Sequence, residues 1–185
     1  MNQLVRNPKR TTAALATALA AVGVAVGSGA DFSARSANPS NTFTAGSLTM
    51  DNSRGGAAIF APSGMRPGAP AQTGTADIEN TGTIGGTFSL ARDQLTSTDT
   101  GDPNPGAFAG KVNLTVTDCR AECGDGDDAE VYSGTLADMG GSVALGRFAP
   151  GERHRFQFAA ALDASAGDEY EGDSSSARFV WDAVQ

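Results

Sequence analysis

His154 is the sole histidine of this 185-residue chain, and it stands between two arginines in Arg-His-Arg-Phe-Gln-Phe at residues 153–158. Imidazole is the side chain best suited to moving protons near neutral pH, so hydrolytic chemistry would centre here. A nucleophilic triad also needs a positioned serine, and the Gly-x-Ser-x-Gly elbow is absent. The His-Glu-x-x-His pair of a zinc peptidase is absent as well. Strand alternation sets His154 on the side of Phe156 and Phe158, near the strand's edge, which fits a structural histidine. The residues therefore predict a protein that is not an enzyme.

Two further constellations have chemical potential. Cys119 and Cys123 sit in Asp-Cys-Arg-Ala-Glu-Cys-Gly at residues 118–124. Three intervening residues do not make a thioredoxin-type pair, and no second Cys/His pair completes a zinc site, so a structural disulfide that stiffens one hairpin is expected. Asp125, Asp127, Asp128 and Glu130 could wrap a calcium ion from a flexible loop, although their spacing is not that of an EF-hand. The alternative is a solvated acidic turn, and no other cofactor is indicated. Asp163, Asp168, Glu169, Glu171 and Asp173 cluster around Tyr170. Paired carboxylates can hydrolyse glycosides, but sequence fixes no separation between them, and a wet loop is the default.

The elements that must position these groups read as strands. Val112, Leu114 and Val116 alternate with Asn113, Thr115 and Thr117, the period of a strand with one buried face. Phe88 with Leu90 and Ala76 with Ile78 repeat it. Near the end, Ala177, Phe179, Trp181 and Ala183 share one face while Val180 and Val184 lie on the other, which predicts a central strand. At the other end, Phe43 and Ala45 differ in parity from Leu48 and Met50, and a bulge at Gly46 would turn all four inward. Residues 54–74 read as a loop with one short strand near 58–60, and residues 92–110 as a polar crossover. No segment beyond residue 30 sustains a helical period. With 24 glycines and eight prolines punctuating eight or nine short strands, the expected fold is an all-β antiparallel sandwich of jelly-roll or immunoglobulin-like type.

The start of the chain predicts export. Arg6, Lys9 and Arg10 precede an apolar run over residues 11–26, and Ser28-Gly29-Ala30 offers a small-x-small cleavage site. The run is shorter than the roughly 20 apolar residues of a spanning helix, so cleavage is favoured over a retained anchor. Residues 1–30 are thus expected to be a signal peptide, 31–40 a mobile lead segment and 41–185 one domain. Cleavage would move the net charge from −8 to −11, because only the three basic residues are lost. Such an excess of carboxylates disfavours nucleic acid and anionic membrane surfaces as partners.

Read in order, the blocks along the chain resemble one family. They are Asn-Thr-Phe-Thr-Ala-Gly-Ser-Leu at 41–48, Arg-Pro-Gly at 66–68 before Ile-Glu-Asn-Thr-Gly-Thr at 78–83, and Tyr-Ser-Gly-Thr-Leu-Ala-Asp at 132–138. Phe-Ala-Pro-Gly-Glu at 148–152, Tyr-Glu-Gly at 170–172 and the closing Asp-Ala-Val-Gln at 182–185 complete the set. Together they resemble the TasA/camelysin family of secreted, spore-coat-associated bacterial proteins. The resemblance implies a jelly-roll subunit of biofilm-matrix or cell-surface fibres, released by a signal peptidase and partnered by copies of itself in a head-to-tail homopolymer. It also implies a freed N-terminal segment that adds as a strand to the next subunit. Here the donor strand would start at Asp31, Phe32, Ser33 and Ala34 and reach Asn38, with Phe32 as its anchor. The segment is otherwise polar, and Pro39 cannot donate to a ladder. A metallo-endopeptidase label carried by some relatives finds no zinc-binding residues in this sequence. Two other roles remain open: a monomeric binding or adhesion module using loops 54–74 or 92–110, and, less favoured, that peptidase.

Overall fold

The computed structural model describes residues 44–98, 100 and 107–185. The expected signal peptide and donor segment lie outside the described residues. Among the described residues eight strands follow one another, all paired antiparallel: β1 (Met50–Asn52), β2 (Gln72–Asn80), β3 (Gly86–Thr98), β4 (Val112–Asp118), β5 (Ala129–Thr135), β6 (Ser142–Phe148), β7 (Arg153–Leu162) and β8 (Ser174–Val184). Two short 3-10 turns, Phe108–Gly110 and Asp168–Tyr170, are the helical elements among the described residues. One sheet has the order β1-β2-β7-β4-β5 and the other β6-β3-β8.

Parity builds the core between them. Ala76 and Ile78 of β2, Leu114 and Val116 of β4, and Phe156 and Phe158 of β7 are buried from one sheet. Phe88 and Leu90 of β3, Phe148 of β6 and Trp181 of β8 meet them from the other. The result is a two-sheet antiparallel β-sandwich, and β2-β7-β4-β5 facing β6-β3-β8 is the strand order of a jelly roll. In the complete form of that fold the first strand lies beside the last. Here β1 is three residues long and pairs with β2 instead.

The β2–β3 turn shows how tightly the end of the sandwich is tied. Asn80 is fully buried, and its side-chain amide donates to the Ile84 and Phe148 carbonyls at 2.9 and 3.1 Å while its oxygen accepts from Gly82 N–H at 3.0 Å. Gly82 has to be glycine, since a Cβ there would strike the Ser47 carbonyl and stand 2.9 Å from Leu48 Cα.

Four sequence expectations change. No strand forms over residues 58–60; Ile59 and Phe60 instead pack against the core from a loop, admitted by Gly74, where a Cβ would stand 2.7 Å from the Ile59 carbonyl. The polar crossover starts later than expected, because β3 runs on to Thr98. Its outer half pairs with β8 down to Thr98 opposite Ser174, with Ser97 and Ser175 hydroxyls 2.8 Å apart. At the N-terminal end Leu48 and Met50 do pack against the core, but no strand forms at Gly46 and Ala45 is exposed. Its supposed companion Phe43 lies outside the described residues. Finally, β8 is not central: among the described residues it has β3 on one side only.

Candidate functional site

Among the described residues β8 is an edge strand, as are β1, β5 and β6, and of these four it is the one that lines the large cleft. A free edge presents unpaired N–H and C=O groups to any extended chain that approaches. Beside it lies a cleft of about 950 Å³ that opens between the two sheets. It is lined by Ser174 to Ala177 together with Phe179 of β8, by Val112 and Leu114 of β4 and Leu162 of β7, and by Phe60 and Tyr170. Ala177 and Phe179 are only half-buried on the inward face of β8, whereas Trp181, two residues on, is 8% exposed. Partly uncovered apolar surface on the cleft side of β8 is thus found at Ala177 and Phe179, while Val184 at the far end of the strand is 60% exposed.

The Ser174 end carries Asp173. Its Oδ1 accepts from the Thr100 N–H and hydroxyl at 2.7 and 2.9 Å, which ties the end of β3 to the start of β8. Its Oδ2 is buried at the edge of the cleft and, among the described residues, has no hydrogen-bond partner. A carboxylate oxygen shielded from water without a donor is unfavourable by roughly 1–3 kcal/mol, more if charged. The rest of this acidic cluster is dispersed. Asp163 accepts from Ser165 N–H and Asn113 Nδ2, and these bonds pull its carboxyl down to about 2, led by the Ser165 side chain. Glu169 and Glu171 are exposed.

His154 lies deeper than its flanking arginines imply. It is 3% exposed, its Nδ1 stands 2.8 Å from Asp118 Oδ2, and its Nε2 is 3.0 Å from Glu152 Oε1 and 3.3 Å from Arg120 Nη1. Phe148 stacks on the ring at 4.0 Å between centroids. Nδ1 is engaged by the buried Asp118 and Nε2 by the more exposed Glu152 and Arg120, which suits the ring to joining β4, β7 and the β6–β7 turn. The sequence reading missed Asp118 and Glu152. A signal was present for both: Asp118 continues the inward parity of Val112, Leu114 and Val116, and Glu152 shares the parity of His154.

Acid should loosen this end first. The Ala149 N–H, which donates to Glu152 Oε2 at 2.6 Å, and then His154 hold the Glu152 carboxyl below the usual range. Arg155, and then Arg153, do the same for Asp77 on the outer face of that sheet. A carboxyl whose folded pKa is depressed contributes stability that is complete above its unfolded pKa, roughly 4, and is lost as pH falls through the folded value. Urea midpoints are thus expected to be flat from pH 7 to about 5 and to drop steadily below 4, with Asp77→Asn flattening the acid limb. A midpoint that rises on acidification would refute this assignment.

The cysteine pair forms the expected bridge, Cys119–Cys123. It closes the start of the β4–β5 loop and holds Arg120 in a left-handed conformation, φ 56°, where Arg120 N–H donates to Asp118 Oδ1 at 2.9 Å. The bridge thereby braces the histidine cluster as well as the hairpin. The calcium candidates that follow are exposed, and two of them serve the turn itself: Asp128 Oδ2 accepts from Gly124 N–H at 2.8 Å and Asp125 Oδ1 from Asp127 N–H at 3.1 Å. Among the described residues no three His, Cys, Asp or Glu groups are brought together in a way that could hold a metal ion. Asp31, Phe32, Ser33 and Ala34 lie outside the described residues.

Fold and edge together define an antiparallel β-sandwich in which, among the described residues, β1, β5, β6 and β8 are edge strands and β8 is the one that lines the cleft. No family model matches the chain, and comparison with curated proteins gives no match.

Proposed function

We propose that this chain is a secreted structural protein, a fibre subunit of the bacterial cell surface or biofilm matrix of the TasA/camelysin kind, which assembles by N-terminal strand exchange. The observation that carries this reading is the free edge of β8 beside the apolar cleft. Among the described residues no strand pairs with the outer side of β8, and the partly covered Ala177 and Phe179 side chains lie in the same place. One extended segment from another copy, led by Asp31, Phe32, Ser33 and Ala34, would satisfy both. Because donor and acceptor are different surfaces of the same chain, the contact is head-to-tail and propagates. The apolar inward and outward residues of β8, which read as a central strand, agree with a sheet that is completed on assembly. The role needs signal-peptidase cleavage, other copies of the chain, and no catalysis or cofactor.

Negative-stain microscopy of the chain from Asp31 onward should show fibres. A variant lacking residues 31–38 should remain monomeric under the same conditions. Monomers from both preparations at high concentration would refute the proposal. The cleft also favours a second reading, a monomeric module that binds an apolar ligand there; for that reading the truncated variant, with its cleft open, would bind an apolar dye and the longer chain would never polymerise.

A further inference from the structure

We propose that the Cys119–Cys123 bridge is a redox switch set on the histidine cluster: its reduction by a dithiol releases Arg120 from His154 and Asp118 while the sandwich stays folded. The ring closed by the bridge contains Arg120 itself, since the two cysteines are four residues apart. Arg120 stands at φ 56°, in the left-handed region that a residue with a Cβ disfavours, and it is the one non-glycine residue so placed among the described residues. From there its Nη1 reaches His154 Nε2 at 3.3 Å, and its Nε lies 3.7 Å from Asp118 Oδ2. Backbone bonds hold the near side of the ring. Cys119 N–H donates to the Arg155 carbonyl and Arg155 N–H to the Arg120 carbonyl, both at 2.8 Å. Beyond Arg120 the bridge takes over: among the described residues no hydrogen bond ties Ala121, Glu122 or Cys123 to the sandwich, and Ala121 and Glu122 are exposed.

Burial separates the two sulfurs. Cys119 is fully buried, whereas Cys123 is half-buried beside the exposed turn that follows it. A thiolate of the reductant therefore attacks Cys123 Sγ, forming a mixed disulfide and expelling the Cys119 sulfur, which takes up a proton. The second thiolate of the reductant then attacks the reductant sulfur of that mixed disulfide, which closes a cyclic disulfide and expels Cys123, protonated in turn. Two electrons and two protons pass to the protein, and the dithiol is oxidised. A ring this small contributes less loop-closure entropy than a bridge between distant strands, so the fold survives its opening. The turn does not stay as it was. Freed at Cys123, the chain lets Arg120 leave its unfavoured conformation, and the guanidinium leaves the cluster with it. His154 is then left between Asp118 and Glu152 with no arginine against its ring. The redox state of the bridge thereby sets the surroundings of one imidazole, whether or not the chain forms fibres.

The chain's only histidine is its own reporter. The ring C2–H resonance of His154 is followed by proton NMR at neutral pH while dithiothreitol is added without denaturant, and alkylation of samples counts the free thiols. Both cysteines should become free, the His154 resonance should shift, the other resonances should keep their dispersion, and reoxidation should restore the first spectrum. Cys119→Ala combined with Cys123→Ala should show the shifted resonance with no reductant present. Arg120→Ala removes a side chain that is 55% exposed, so the core stays closed, and here reduction should barely move the resonance. A resonance that stays in place once both thiols are free overturns the proposal. So does a bridge that yields to the reductant only in urea. Collapse of the dispersion on reduction would make the bridge a staple of the whole fold, and an equal shift in Arg120→Ala would exclude Arg120 as the link; either result overturns the switch.

Discussion

Replacing His154 with alanine is expected to lower the unfolding free energy by about 3–5 kcal/mol, measured by urea denaturation at pH 7. The size of the effect comes from what is left behind. Asp118 has a side chain only 4% exposed, and its Oδ2 loses the 2.8 Å bond to Nδ1 while the Arg120 Nε that remains stands 3.7 Å away. Glu152 loses the 3.0 Å contact at Nε2, and Phe148 loses the ring stacked on it. A buried charge deprived of its partner costs more than the pair ever contributed. The double substitution His154→Ala with Asp118→Ala should therefore cost less than the sum of the two single ones, a coupling that a double-mutant cycle reads directly. A loss under about 1 kcal/mol for His154→Ala would mean that Arg120 swings in to neutralise Asp118, and the cluster would then be a surface feature rather than a joint.

The parts of this molecule legible in sequence are those in which a local pattern and a tertiary demand coincide. Val112, Leu114 and Val116 alternate because one face of β4 meets the core, and all three are buried as the alternation required. Cys119 and Cys123 are close enough in sequence that their spacing alone indicated the bridge. Where partners are remote in sequence, the pattern is silent. The outer half of β3 carries Gln94, Thr96, Ser97 and Thr98, which look like loop, and is a strand because β8 extends far enough to pair with it. Asp118 reads as the polar end of a strand until β7 brings His154 beside it, 36 residues later. The edge position of β8 was the least legible of all, since a strand apolar on two faces cannot announce that, among the described residues, it is paired on one side only. The Asp173 carboxylate belongs to the same class: only the fold reveals that Thr100 takes one of its oxygens while the other has no partner among the described residues.

Two phenylalanines of the same core should separate stability from assembly. Phe156 is fully buried, its ring 4.9 Å from that of Trp181 on the facing sheet, with Ala76 and Asp118 as its cross-strand neighbours. Surrounded on all sides, it leaves a cavity that cannot collapse, and Phe156→Ala is expected to cost about 3–5 kcal/mol in the monomer. Phe179 is also 4.9 Å from an aromatic partner, Phe158, but its outer flank faces the cleft. Truncating a half-buried ring at an open wall exposes little that was dry, so Phe179→Ala should cost about 1–2 kcal/mol in an isolated copy. On the proposed strand exchange the same ring belongs to the cleft wall that an incoming strand would cover, and its loss would weaken every junction. Phe156→Ala is thus expected to lower the urea midpoint sharply, whereas Phe179→Ala should lower it slightly and suppress fibres seen by microscopy. If instead both substitutions destabilise the monomer equally, the cleft is closed by the chain itself, and the edge of β8 is not where a neighbouring copy docks.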